Sequence, residues 1–512
     1  MRKISLILTL CLLLNLFAGC GKDDPYTPTG NALEDATLAT EDTSSEEDME
    51  ENAFTLAYYE EEGFNPYTCT GYTNRLILSL VYQGLFTVDR EYRVEPMLCS
   101  TYSVNDDMTR YTFHLEPATF PDGSRVTAGD VVASFDAAAA GPVYEGRFRV
   151  ISGYEAVDGD TLVVTTITEC ETLPMLLDVP IVKAGEVSAL IPQGTGPYQL
   201  VKNGTSISLN RRDSWWSIAE VPVSQPRILL WAAESPVQIR DWFEFDEVGV
   251  VCADPGAGSY VDYRCDYEVW DSETGIMLYL VCNMNRAPFG DAEIRKAISW
   301  AVDRTTILEE CYNSFGVASS LPASPNSPFY DQNLGSQVGY EPQRLRQLVE
   351  EKQLTGVPLQ LLVNKDDSTR LQAARIIART LNDCGLNVTL DQQNSKTFYN
   401  RLYAGNFDLY LGQTQLSPNM DMSEFFAPYG HLRWGGLSSS ALYDMCGEAL
   451  ENRGNYLNLH QLILEGGQVI PVLFRTYAVY MERGLLENLN PARDNVFWYS
   501  SGRRMEDILV SD

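Results

Sequence analysis

The chain is 512 residues long, 45% hydrophobic by residue type, and carries 70 Asp and Glu against 37 Lys and Arg, a formal net charge of −33. That balance excludes nucleic acid as a partner, because phosphate binding needs clustered Lys and Arg, and it favours a neutral or cationic ligand over a polyanionic one. Beyond the N-terminal region about 460 residues remain, enough for two or three domains.

Arg2 and Lys3 precede an apolar run from Ile4 to Phe17 that ends in Ala18-Gly19-Cys20. A basic start, a short apolar stretch and small residues make a secretory signal, too short for a comfortable transmembrane span. Leu16-Phe17-Ala18-Gly19-Cys20 resembles a bacterial lipobox, with Phe17 where Leu is usual. The resemblance implies a lipoprotein signal peptide over 1–20, lipidation of Cys20, and anchorage at the outer face of the bacterial cell membrane; each buried CH₂ of the lipid adds about 0.8 kcal/mol. From 21 to 52 the chain is strongly acidic, with Lys22 its one cation. It buries too little apolar surface to offset ordering entropy, so a disordered, self-repelling tether is expected. No later apolar run is long enough to cross a membrane.

The body opens with a strand at Phe54–Tyr58, and a helix carrying Leu76, Leu80, Val81 and Tyr82 follows Asn65-Pro66-Tyr67. Tyr111–Leu115 alternates as a strand, Pro121-Asp122-Gly123 is a turn, and Thr127 with Asp130 makes a capping-box-like helix start. Val157–Asp160 and Asn203-Gly204 are hairpin turns. Asp291 caps a helix whose Ile294, Ala297, Ile298, Ala301 and Val302 share one face. From 358 to 413 strand and helix patterns alternate: strands at Leu359–Val363, Leu386–Leu390 and Phe407–Leu411, and helices at Ser368–Cys384 (ended by Gly385) and Phe398–Tyr403. This βαβ succession implies a parallel sheet covered on both faces. Ligands of such sheets bind beyond the carboxyl ends of strands, which points to the loops after Val363 and Leu411.

Several of these segments carry a family likeness: Tyr111–Asp136 (YTFHLEPATFPDGSRVTAGDVVASFD), Gly194-Thr195-Gly196-Pro197-Tyr198, the Asn210–Trp216 stretch, and Asn283–Arg304. Together they resemble the family 5 extracytoplasmic solute-binding proteins, receptors of oligopeptide, dipeptide and nickel ABC importers. The resemblance implies an α/β, bilobal, periplasmic-binding-protein-like fold with an inserted subdomain in the first lobe. Residues 53–70, 190–275 and 473–512 would form that lobe, 71–189 the insertion and 276–472 the second lobe, with hinges near 270–276 and 472–476. The implied task is capture of a small solute, peptide or peptide-like before other classes, for delivery by a monomer to an ABC permease and, through it, an ATPase. A nickel- or other metal-chelate receptor is the alternative within the family. A signalling or adhesion lipoprotein on the same fold is the alternative from another class.

The chain shows no nucleophile elbow, no HExxH and no phosphate-cradling loop, and only three histidines, His114, His431 and His460. An enzyme is therefore not expected, nor a cofactor. The loop Leu411–Asp421 stands where peptide-binding relatives place an Asp that pairs with the ligand's α-amino group. Leu416 occupies that position here, with Asp421 the other candidate. Polar neutral side chains suited to hydrogen bonding are expected in the cleft: Tyr67 and Tyr72 after the first turn, Asn283 and Asn285 near the lobe crossing, and Gln413, Gln415, Ser417 and Asn419 on the loop. Trp434 is expected against an apolar group, and His431 is a metal ligand only under the chelate alternative, since a lone His is poor evidence for a metal. Nine cysteines lie in the body, without a CxxC pair. Buried thiols are expected, with Cys252 and Cys265 the nearest pair for a disulfide.

Overall fold

Two long antiparallel strands, Tyr267–Cys282 and Ile470–Glu482, join the two halves of the structure. The structure is a computed structural model that describes residues 54–510 apart from 222, 224, 258–262, 487–488 and 498–501. The expected signal peptide, with Cys20, and the expected acidic tether fall outside the described residues. An 11-stranded sheet runs through both halves. On one side of the crossing pair lie Leu409–Gln415, Pro358–Asn364 and, at the edge, Asn387–Gln393; on the other, Val250–Ala253, Thr55–Tyr58, Arg227–Ala232, Ser206–Arg211 and Tyr198–Asn203.

The local chemistry explains these elements. Pro358–Asn364 and Asn387–Gln393 pair in parallel, linked by the helix Ser368–Asp383, which Gly385 terminates at φ +100°. Asp367 caps that helix by accepting from the Arg370 N–H. Asp291 caps Ala292–Trp300 in the same way through Glu293 N–H. Thr127 and Asp130 form the reciprocal capping box of Ala128–Ala140, and Gly204 at φ +62° turns Tyr198–Asn203 back onto Ser206–Arg211. A separate four-stranded antiparallel sheet, ordered Cys99–Val104, Arg110–Leu115, Thr161–Thr166 and Ile151–Ala156, is followed along the chain by the segment 169–176.

Burial divides accordingly. One core gathers Leu56, Leu80, Phe113 and Phe135 from the first strand, the helix Tyr72–Val81, the four-stranded sheet and the helix Ala128–Ala140. Two more cover opposite faces of the parallel strands, around Leu361 and Leu411 on one side and around Tyr279 and Tyr410 on the other, as a sheet buried on both faces requires. The last of these also takes in Val88, Tyr92 and Met175, so the two halves touch through apolar contact as well as along the crossing strands. The nine body cysteines are all free thiols and eight are buried, Cys265 being half-buried. The Cys252–Cys265 pairing is not formed.

Candidate functional site

The crossing strands change register between Glu273 and Ile276, where two extra residues, Thr274 and Gly275, bulge out. Gly275 sits there at φ +70°, and Thr274 locks the bulge by donating its hydroxyl to the Arg475 carbonyl (2.6 Å) and accepting from Ile276 N–H (3.0 Å). Bulges re-aim the chain beside functional sites. This one lies next to a cleft of about 290 Å³, near the lower end of the roughly 300–1,000 Å³ typical of small-ligand pockets. Residues 142–149, which follow the helix Ala128–Ala140, form one wall; Thr414–Ser417, Asp421 and Glu424 form another, with Arg493 also contributing. A neighbouring cavity of about 90 Å³ contains Tyr72, Glu273, Gln415 and Asp494.

Charge dominates this region. Arg147 forks onto Asp178 (2.5 and 2.8 Å). Asp494 accepts from Arg75 and lies 3.7 Å from Arg147 and 3.8 Å from Arg493. Burial alone would raise the Asp494 carboxyl, but the guanidiniums of Arg75, Arg493 and Arg147 hold it below the usual carboxylate range. Burial, then repulsion from Arg147, pushes the Arg493 guanidinium below its ordinary value. Asp421 accepts both the N–H and the hydroxyl of Ser423 on one oxygen (2.9 and 2.6 Å), yet burial still raises its carboxyl. Arg149 and Glu424 face each other at 3.5 Å, from the 142–149 wall to the 414–424 wall.

Several expected ligand residues are instead engaged by the protein itself. Tyr67 is buried and donates its hydroxyl to the Pro180 carbonyl at 2.8 Å. Asn283 is buried and donates its amide to the Gly405 and Phe407 carbonyls. Asn419 is fully buried, donating to Thr172 and accepting from Tyr456. In each case a loop carbonyl or hydroxyl has taken the hydrogen-bonding capacity that suggested a ligand contact. Gln413 accepts from Arg475 at 3.2 Å, and Asn285 is exposed beside Gly436. Trp434 packs among Tyr399, Tyr403 and Tyr410.

The structure does bring Gln415 and Ser417 into the cleft wall, with Tyr72 beside Gln415 in the neighbouring cavity, although Gln415 also donates its amide to the Thr274 carbonyl at 2.8 Å and Ser417 its hydroxyl to the Asn419 side-chain oxygen at 2.7 Å. His431 stands at the rim, its side chain 78% exposed, with Glu424 as its nearest carboxylate at 3.5 Å. Among the described residues no group of three or more His, Cys, Asp or Glu is placed to hold a metal ion. His114 is an exposed strand residue, 3.3 Å from the Thr161 hydroxyl. Sequence reading missed Arg147 and Arg493. The one signal for Arg493 is a charged pair, Arg493-Asp494, inside the otherwise neutral stretch Asn488–Ala492 and Asn495–Ser501.

The comparisons with known proteins agree with this architecture. Residues 93–436 match the model of the bacterial extracellular solute-binding proteins, family 5 Middle. The glutathione-binding protein GsiB of Escherichia coli is 23% identical over 313 residues, covering 56% of this chain and 58% of that relative, so the chain spans little more than half its length. A probable peptide ABC transporter periplasmic-binding protein of Sinorhizobium fredii is 23% identical over 367 residues, covering 64% of this chain and 67% of the relative. Among solved structures, the ABC transporter substrate binding protein CtaP of Listeria monocytogenes superposes with a TM-score of 0.70 at 17% identity, over 87% of this chain and 97% of that one. That likeness establishes the bilobal α/β fold. With about two-thirds of its length matched by the family model, the chain belongs to the bacterial extracellular solute-binding proteins of family 5.

Proposed function

We propose that this protein is the substrate-binding component of an ABC importer, capturing a short peptide or peptide-like solute between its two lobes and handing it to the permease. The observation that carries the reading is the cleft of about 290 Å³ beside the strand crossing, with walls from residues 142–149 and from the 414–424 loop. In the proposed division, 53–70, 190–275 and 473–512 make the first lobe, 71–189 its insertion and 276–472 the second lobe, so each wall moves with a different lobe. Closure by hinge bending at the bulged crossing, near 270–276 and 472–476, buries a ligand without unfolding either core. Gln415 and Ser417, through the acceptor oxygens left after their donors bond Thr274 and Asn419, and Tyr72 are the hydrogen-bonding residues toward the ligand backbone. Asp421, both of whose hydrogen bonds within the described residues fall on one oxygen, is the group for a ligand ammonium, because a desolvated ammonium needs an anionic partner. The names of the peptide and glutathione relatives support this ligand class.

The lipobox-like Leu16–Cys20 and the acidic 21–52 stretch support a monomer tethered by the Cys20 lipid at the outer face of the membrane, where it meets the permease. Mass spectrometry of the protein isolated from its native membrane tests the reading. A peptide or peptide-like mass released on denaturation is the expected result. A metal chelate or a saccharide in its place would overturn the peptide assignment.

A further inference from the structure

Arg149 stands apart from the other arginines of the cleft. Arg147, two residues earlier, is buried and forked onto Asp178, and the Arg493 side chain is only 2% exposed. The Arg149 side chain is 39% exposed and pairs with Glu424 at 3.5 Å and Glu145 at 4.0 Å. Both distances exceed the roughly 2.7–2.9 Å of a charge-assisted hydrogen bond. Glu145 lies on the same wall of the cleft, whereas Glu424 belongs to the opposite one. The Glu424 carboxylate is itself only half committed to its own loop: Oε2 accepts the His431 N–H at 2.8 Å, and Oε1 is the atom that faces Arg149. Asp421 feels both groups. Burial raises its carboxyl, Arg149 offsets part of that rise, and Glu424 adds to it. The loop wall thus presents two carboxylates, and the cation that faces them comes from the protein's own opposite wall.

We propose that Arg149 is an internal competitor for the cation position of this cleft, a guanidinium that faces Glu424 and Asp421 until a ligand ammonium displaces it. The inference rests on the reading of the protein as a peptide receptor and deepens it, because it names what the incoming ammonium must displace. An ion pair between partly exposed groups at 3.5 Å is weak and screened by salt, and the long arginine stem lets the head group swing into water. Displacement therefore costs little for a solute that brings its own cation. A solute without one leaves Arg149 in place and gains nothing from its removal. The competitor makes the cleft discriminate by charge, and the formal net charge of −33 steers cations toward it. The contrary role, a bolt between the walls that strengthens closure, predicts the opposite sign when Arg149 is replaced.

Calorimetric titration of the protein and of R149Q with trialanine, N-acetyl-trialanine and spermidine tests both levels. R149Q is expected to bind trialanine about twofold to fivefold more tightly than the unaltered protein, the worth of an exposed ion pair. R149K should bind it as the unaltered protein does, and N-acetyl-trialanine should show no gain with R149Q. An unchanged affinity for trialanine, a weaker one, or a gain shared by N-acetyl-trialanine would overturn the competitor and leave the peptide reading standing. Spermidine bound more tightly by R149Q, with neither peptide bound, would support the competitor and overturn the peptide reading. No binding of any of the three to either protein would overturn both. Should R149Q not fold, R149A carries the same prediction.

Discussion

The ion pair between Asp254 and Arg475 offers a severe test of how the crossing strands are held. Arg475 lies in the second crossing strand opposite Ile276, and its Nη2 donates to both oxygens of Asp254 at 2.5 and 2.7 Å. Nη1 donates to Gln413 at 3.2 Å, the guanidinium stacks over Tyr312 at 5.4 Å, and Nε is buried without a partner. The two side chains are only 7% and 16% exposed. Asp254→Asn removes the charge and leaves the guanidinium buried and uncompensated, a change that costs about 3–5 kcal/mol. Arg475→Met leaves a carboxylate nearer to water and costs less, about 1–3 kcal/mol. Because the partners touch, the double variant should be more stable than the sum of the single losses by about 0.5–3 kcal/mol. Urea unfolding reads this directly: with a slope of about 3 kcal/mol/M, Asp254→Asn lowers the midpoint by about 1–1.7 M. A loss below about 1 kcal/mol, or strict additivity in the double variant, would show that water reaches Arg475 and that the pair does not secure the crossing.

Three further outcomes follow from particular residues. Burial holds the His460 imidazole down at about 3, whereas in the unfolded chain it titrates at about 6.5; the unfolded state therefore takes up the extra proton first, and stability that is intact above about 6.5 is lost toward pH 3 at about 1.4 kcal/mol per pH unit. Since neither ring nitrogen has a partner, His460→Phe should flatten that slope in pH-dependent urea titrations without loss at pH 7, and an unchanged slope would refute the assignment. Gly275→Ala meets both a left-handed φ and the Arg493 guanidinium, so it should cost about 1–2 kcal/mol in backbone strain alone and weaken ligand binding in the same calorimetric assay; wild-type stability and affinity would show that the bulge relaxes freely. Thr127→Ala removes one half of a capping box and should cost about 1 kcal/mol by thermal unfolding, with no change in ligand affinity.

The sequence was most legible where one interaction spans a few residues. Asp291, the Thr127–Asp130 pair, Asn203-Gly204 and Gly385 act within a turn of chain, so their residue types alone specify a cap or a reversal. The βαβ pattern over 358–413 was readable for the same reason, since each period of hydrophobicity is local. The cleft was not. Its arginine cluster joins Arg75, Arg147 and Arg493 to Asp178 and Asp494 over sequence separations of up to 419 residues, and no local pattern encodes that meeting. Tyr67, Asn283 and Asn419 show a complementary ambiguity. Polar side chains in loops are as suited to satisfying buried carbonyls as to binding a ligand, and here Pro180, Gly405 and Phe407 claim two of them.

Capture by lobe closure is the central claim, and small-angle scattering of the protein tests it most directly. The chain should become more compact on adding a short peptide that binds in calorimetry, with the same change absent when a non-binding peptide is added. A scattering profile that stays unchanged across peptides, metal chelates and oligosaccharides would contradict the account.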